Sequence, residues 1–354
     1  MELWRHSVAA PRRIMRTAES AEAAGWDGLC VVDSQNLSGD AFVALALAAT
    51  VTYTIGLGTA VGNSVTRVAA ANAAGALSVD AVSGGRMEFG IGRGDSALAH
   101  LGRAPGTVRH FERHLQQVQA YLRGDDVAFD DVDIPIDVAP PVDAMELASG
   151  PGVSRITWNR AERKVPVEVS ATGPRVIGIA AVHAERVMFA LGADPDRIAW
   201  GIEVARRART EAGLDPDGVR FGAYVNVVCH RDIERARELI KGAVSIFARF
   251  SVMHGTVIGP ANENTEESLR RIHDVYDMGS HSRNESRQAE SLTPDFIDEF
   301  GIVGPPNRCI ERLQTLEELG LDKIIAAASF QLEDTEEGRG ARELMEAEVL
   351  PAFA

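Results

Sequence analysis

The stretch FGIGRGDSALAHLGRAP, Phe89–Pro105, decides how the chain is read. An apolar run, RMEFGIG (86–92), ends in glycines at 90, 92 and 94 and passes through Arg93, Gly94 and Asp95 into a helix-like segment. A dinucleotide fingerprint needs GxGxxG opening a helix, with an acidic residue about twenty positions on. Here the glycines run GxGxG and the text that follows is HFERHLQQ. A Walker loop needs Gly-Lys-Ser/Thr, and there is none. An adhesion tripeptide matters only outside the cell, and the amino-terminal text MELWRHSVAAPRRIMR has no apolar core of signal-peptide length. What remains is a buried strand delivering a loop to the edge of a sheet. There Arg93 either offers its guanidinium to a phosphate or faces water, and Asp95 and Ser96 stand beside it.

Seven other runs have the same character: ELWRHSV (2–8), GLCVVD (28–33), TIGLGTAV (54–61), VPVEVSA (165–171), RVMFAL (186–191), FGAYVNVVC (221–229) and DKIIAAAS (322–329). Apolar runs with no polar face suit parallel strands covered on both sides. Helix-like segments separate them, such as RRIMRTAESAEAAG and HFERHLQQVQAYLRG, closing on Gly25 and Gly124 as helix C-caps. Strands alternating with helices imply βαβ units, and eight of them predict an α/β fold, a closed (β/α)8 TIM barrel. An open doubly wound sheet is the rival. Two connections are long. DDVDIPIDVAPPVDAMELASGPGVSRITW, before the fifth strand, is an irregular excursion rich in Pro and Asp. Residues of about 230–321, after the seventh strand, read as a helical insertion and a candidate lid, within one domain spanning 1–354.

Of the 354 residues 45% are apolar and 25% charged, enough for a large core, and the net charge is −15. That charge argues against a nucleic-acid partner or an anionic membrane surface. The most apolar stretch, AFVALALAATVTYTIGLG, is broken well short of a membrane span. Cys30, Cys229 and Cys309 lie far apart with no CxxC, so they read as buried thiols in a reducing, cytoplasmic setting rather than as disulfides or a zinc site.

Five blocks in order, AEAAGWDGLCVVDSQNLSGD, IGLGTAVGNSVTR, SVDAVSGGRMEFGIGRGDSALAHLG, PVEVSATGP and IVGPPNRCIERL, resemble the bacterial luciferase-like family. The branch they are most similar to is the deazaflavin-dependent one, which includes methylenetetrahydromethanopterin reductase. The resemblance covers nearly the whole chain. It implies a (β/α)8 barrel with an insertion after the seventh strand. It also implies an oxidoreductase that exchanges a hydride between coenzyme F420 and a small organic substrate, and by analogy a homodimer. The alternatives are an FMN-dependent monooxygenase of the same family and a cofactor-free, non-catalytic partner subunit.

The resemblance also assigns residues. Asp33, ending an apolar strand, is placed beside the reactive face of the ring as the catalytic carboxylate, with Gln35 and Asn36 as polar neighbours. Relatives carry a bulge with a non-proline cis peptide that backs the ring. Here it falls between Thr59 and Asn63, making Ala60, Val61, Gly62 and Asn63 cofactor contacts. A common relative reads Thr-Asn-Pro-x-Thr-Arg-His-Pro there; this chain has Gly62-Asn63-Ser64-Val65-Thr66-Arg67-Val68-Ala69, which predicts a less rigid loop. Arg93 matches an arginine that contacts the cofactor phosphate in luciferase-like enzymes, and Gly94 and Asp95 match the loop that flanks the ring in the deazaflavin branch. Ser170, Thr172 and Gly173 match the cofactor-contacting turn after the fifth strand, and Gly192 and Ala193 the next turn. In the insertion, His254, Tyr276, Asp277 and His281 are polar residues within apolar helical text. His254, Tyr276 and His281 are candidate substrate contacts. Their spacing supports no metal site. Trp4 and His6 on the first strand are expected to point at the same mouth.

Overall fold

The computed structural model describes residues 1–159, 163–328 and 335–354. Its strands are β1 (Glu2–Ser7), β2 (Gly28–Val31), β3 (Gly56–Thr59), β4 (Gly62–Asn63), β5 (Met87–Gly92), β6 (Val167–Ala171), β7 (Arg186–Phe189), β8 (Arg220–Cys229), β9 (Ile302–Gly304) and β10 (Lys323–Ala327). Eight of them pair in parallel in the order β10-β1-β2-β3-β5-β6-β7-β8, and β8 returns to β10, so the sheet closes. This is the expected (β/α)8 barrel, and the open sheet is excluded. All eight expected strands are present; Ser329, at the end of the last, lies outside the described residues.

Around the barrel run α1 (Ile14–Ala24), α2 (Ala41–Ala49), α3 (Ala69–Ser83), α4 (Ser96–Ala99), α5 (Val108–Arg123), α6 (Pro174–His183) and α7 (Pro195–Glu211). After β8 come α8 (Ile233–Phe250), α9 (Glu263–Val275), α10 (Arg287–Glu290), α11 (Pro294–Phe300) and α12 (Pro306–Glu318), and the chain closes with α13 (Glu336–Glu348). Gly25 and Gly124 cap α1 and α5 in the left-handed region, as expected. The main core lies between the strands' outer faces and these helices, where Leu29, Leu57, Phe89, Val169 and Phe189 are fully buried.

Two short strands were not legible. β9 extends the sheet by pairing with Val227–Cys229, so the insertion is not wholly helical. It also ends earlier than residue 321, because α12 packs against α7 and α13 as one of the outer helices. Arg197, fully buried on α7, pins the insertion down: it donates to Ser251 Oγ at 2.7 Å and to the carbonyls of Ile258 at 2.8 Å and Pro260 at 2.6 Å.

The barrel interior is layered. At the amino-terminal ends of the strands, Arg186 and Lys323 bind Glu88 and Glu168. Burial would raise Glu88, but Lys323 and Arg186 outweigh it and hold its carboxyl at about 2. Above them Trp4 joins Cys30, Met188, Tyr224 and Ile325. This corrects the expectation that Trp4 reaches the mouth. It is 2% exposed, stacks on Lys323 with the ammonium 3.2 Å from its ring centroid, and lies flat on β2 and β3. A Cβ at Gly28 would stand 2.2 Å from the indole and one at Gly56 2.4 Å, so those glycines make room for it. His6, two residues further along the same face, is the half-buried residue nearer the mouth.

Candidate functional site

The loops after the strands converge on one rim. The decisive feature is at β3. Gly58 lies opposite Glu88 on β5, but Gly62 lies opposite Ile91, so four steps on one strand match three on the other. The extra residue is a bulge, and the peptide bond between Ala60 and Val61 is cis, inside the expected Thr59–Asn63 segment. Gly90 makes the bulge possible: a Cβ there would stand 2.1 Å from the Thr59 carbonyl oxygen, and Thr59 Oγ1 donates to the Gly90 carbonyl at 2.6 Å. The opening glycines thus serve backbone packing first. Ala60 and Val61 remain half-buried, packed against the inner layer that holds Trp4 and Tyr224.

The loop beyond the bulge is tied down without the relatives' prolines. Asn63 Oδ1 accepts from the N–H groups of Val65 and Thr66 at 3.0 and 2.9 Å, Asn72 donates to the Asn63 carbonyl at 3.1 Å, and His110 bonds the Ser64 carbonyl at 2.7 Å. Asn63 is 2% exposed and its side chain serves this turn, while Gly62 pairs with Ile91.

Asp33, 4% exposed, follows β2 and is ion-paired with Arg67, whose other nitrogen holds Asp40 at 2.7 Å. Burial pushes the Asp33 carboxyl up against the pull of Arg67. Its neighbours tie two loops together: Ser34 Oγ is 3.1 Å from Ser96 Oγ, Gln35 donates to the Ala97 carbonyl at 2.8 Å, and Asn36 to that of His100 at 3.3 Å. Gln35 thus braces the two loops.

Arg93 is locked by reciprocal bonds with Gly106, its Nε donating to the carbonyl at 2.7 Å and its carbonyl accepting at 2.9 Å. Its terminal nitrogens have no partner among the described residues. Burial, and then the positive charge of Arg175, push it below the usual arginine range. Arg175 also lacks a carboxylate partner among the described residues. It sits in the first turn of α6, which starts at Gly173 with no side-chain cap. Thr172 donates to the Ala190 carbonyl at 3.3 Å, and Ser170 stands next to Gly92, 3.7 Å from where a Cβ there would lie.

At Gly192 a Cβ would meet the Phe300 ring at 2.8 Å, while the Ala193 N–H donates to the Phe300 carbonyl at 2.7 Å and its carbonyl accepts from Arg312 at 3.0 Å. The turn after β7 thus seats α11.

The insertion does reach the rim. Arg249 of α8 is ion-paired with Asp95, and its guanidinium lies 4.6 Å from the Tyr276 ring centroid. Tyr276 Oη bonds His281 Nδ1 at 2.8 Å, and burial holds His281 down at about 4, a neutral imidazole. Asp95, Tyr276 and His281, read separately from the sequence, are one group. His254 is exposed in the turn after α8 and shares no bond with that group among the described residues; Asp277 is also exposed. Sequence reasoning missed Arg67, Arg175 and Arg249. Arg67 and Arg175 sit beside motifs it had singled out; nothing local marks Arg249.

Residues 2–323 match the family described as luciferase-like monooxygenases. The chain belongs to that family. Among similar proteins are the 5,10-methylenetetrahydromethanopterin reductases of Methanolobus tindarius, 24% identical over 320 residues covering 89% of this chain and 90% of the relative, and of Archaeoglobus fulgidus, 23% identical over 314 residues covering 87% of each. Among solved structures, the coenzyme F420-dependent tetrahydromethanopterin reductase from Methanopyrus kandleri superposes with a TM-score of 0.73 at 20% identity, covering 100% of this chain and 99% of that one. A long-chain alkane monooxygenase superposes with a TM-score of 0.64 at 15% identity, covering 100% and 91%. These superpositions show a shared fold. Among the described residues no helix is long and apolar enough to cross a membrane, no group of three His, Cys, Asp or Glu is placed to hold a metal ion, and all three cysteines are free and buried.

Proposed function

We propose that the chain is an oxidoreductase that binds coenzyme F420 at the carboxyl-terminal mouth of the barrel and passes a hydride between it and a small organic substrate. The observation that carries this is Arg93 with Arg175. In a chain of net charge −15, two neighbouring guanidinium groups without carboxylate partners among the described residues, beside an uncapped helix start, suit a phosphate. The residues fit the group in a second respect, because Ala60 and Val61 offer an apolar bulge for a planar ring to rest on. FMN also carries a phosphate and is the competing ligand. Kinship with methylenetetrahydromethanopterin reductases along nearly nine-tenths of the chain supports F420, since the solved reductase of Methanopyrus kandleri is described as dependent on it.

When bound, the deazaflavin supplies the hydride at C5; the chain supplies place, dryness and a proton. Arg93 and Arg175 anchor the phosphate, with Thr172 and Gly173 on the same turn. Ala60 and Val61 would support the ring from one side, and hydride transfer asks that donor and acceptor atoms be held within roughly 3–3.5 Å. Asp33, with its carboxyl raised by burial and oriented by Arg67, holds a proton at the ring side more readily than a solvated aspartate does. The insertion reaches the mouth through Arg249, which binds Asp95. The proposal includes a cytoplasmic, single-domain homodimer, by analogy with the family.

Titration with F420 and with FMN, followed by fluorescence quenching, tests the reading. F420 is expected to bind, and Arg93→Met with Arg175→Met to weaken it at least tenfold. Tight binding of FMN alone would sink the F420 assignment, and binding of neither would favour a non-catalytic subunit.

A further inference from the structure

Asp95 occupies the N-cap position of α4, where an aspartate ordinarily accepts from an N–H two or three residues on. Its side chain makes no such bond. Instead Oδ2 reaches Arg249, 154 residues away on the insertion, and Oδ1 has no partner among the described residues. Arg249 is itself 9% exposed and packed against the rings of Tyr276 and Phe250, with centroids at 4.6 and 5.5 Å. One terminal nitrogen holds Asp95, yet the buried Nε makes no hydrogen bond. Arginine and carboxylate favour two parallel bonds. This pair makes one, so Asp95 Oδ1 and the buried Arg249 Nε, each sharing a carbon with an atom of the bond that is made, are left unused. An unmade buried donor is costly, and a partner that completes it is favoured.

We propose that Asp95 and Arg249 form a recognition subsite for an uncharged ligand group that carries a donor next to an acceptor, the N–H and C=O edge of a lactam or other cis-amide. The N–H would donate to Asp95 Oδ1 and the carbonyl would accept from Arg249 Nε. An anion in this place meets Asp95, and a cation meets Arg249. Two neighbours beside them are neutral: the Tyr276 hydroxyl, pushed up to about 12 by burial, and the His281 imidazole. The subsite borders the rim where Ser96 meets Ser34, next to Asp33. It rests on the reading of the mouth as the reaction site and narrows the substrate class of that site.

The test uses 2-quinolinone, its N-methyl derivative and quinoline-2-carboxylate as probes, with binding followed by ligand-observed NMR. It is run with the protein alone and with F420 present. The lactam is expected to bind the wild type about tenfold more tightly than the N-methyl compound, which has no donor for Asp95. Arg249→Met, and Arg249→Lys, which keeps the charge but has no Nε, are expected to weaken both quinolinones about tenfold, whereas Asp95→Ala is expected to erase the preference between them. The proposal is overturned if the N-methyl compound binds as well as the lactam, if the carboxylate binds better, or if the lactam binds under neither condition. Should the variants not fold, the wild-type preference between the two quinolinones decides. F420 quenching in the same samples judges the cofactor reading separately.

Discussion

Gly90→Ala is the sharpest perturbation the fold offers. The added Cβ would stand 2.1 Å from the Thr59 carbonyl oxygen, whereas carbon and oxygen in contact need roughly 3.3 Å. No side chain can yield there, because the obstacle is backbone. β5 and the bulge must part by about 1 Å, at the point where Thr59 Oγ1 donates to the Gly90 carbonyl at 2.6 Å. Overpacking of this kind costs about 1–3 kcal/mol. Losing the buried hydrogen bond adds about 1–3 kcal/mol. The expected destabilisation is about 2–6 kcal/mol, a fall in Tm of roughly 3–8 °C for a chain of this length. Ala60 and Val61 move with the bulge, so F420 affinity is expected to fall at least tenfold, as a displacement of about 1 Å in a positioning element does. Gly62→Ala is the control. Its Cβ would meet only the Phe89 ring edge, at 3.2 Å, and a side chain can give that much, so the cost is expected below about 1 kcal/mol. Urea unfolding followed by circular dichroism, and F420 fluorescence titration, read the two effects. A Gly90→Ala protein within about 1 kcal/mol of wild type, with unchanged affinity, would refute the role given to this glycine.

Acid should destabilise the protein before its carboxylates titrate. Burial holds His114 and His281 at about 4 in the folded state, against an ordinary value of 6.5. Below 6.5 the unfolded chain takes protons that the folded chain refuses, so stability is full above 6.5 and is lost as pH falls toward 4. The loss is on the order of 3 kcal/mol per histidine. Urea midpoints between pH 7 and 4.5 check this, and His114→Asn should remove about half of the slope; an unchanged slope would refute the assignment. Arg197→Met strips the buried Ser251 hydroxyl and the carbonyls of Ile258 and Pro260 of their donor and is expected to cost about 2–4 kcal/mol. Hydrogen exchange should then quicken first in α8 and α9, and uniform exchange throughout the barrel would contradict the pinning role.

The barrel was legible because its signals are local. Parallel strands buried on both sides must be apolar along their whole length, and helices between them carry their own caps, so eight runs and glycines such as Gly25 and Gly124 announce themselves. β9 escaped because three residues, Ile302–Gly304, have no period of their own and become a strand only by lying against Val227–Cys229. Trp4 was misjudged for a related reason. Alternation along β1 says that it faces inward, but only the glycines of β2 and β3 determine that the indole lies flat deep in the barrel.

What the sequence determined by itself is the periodic part: the number and order of the eight barrel strands, the place of the insertion, and the rim positions of Asp33 and Arg93. What only the tertiary structure decided is who meets whom there. Asp33 meets Arg67, Arg93 comes within electrostatic reach of Arg175, and Asp95 forsakes its own helix for Arg249. Those partners lie 34, 82 and 154 residues apart in the chain, and the local forces that write a pattern into a sequence act over a few residues. Closure of the barrel brings such loops within reach of one another, so the chemistry of the rim is a property of the closed sheet.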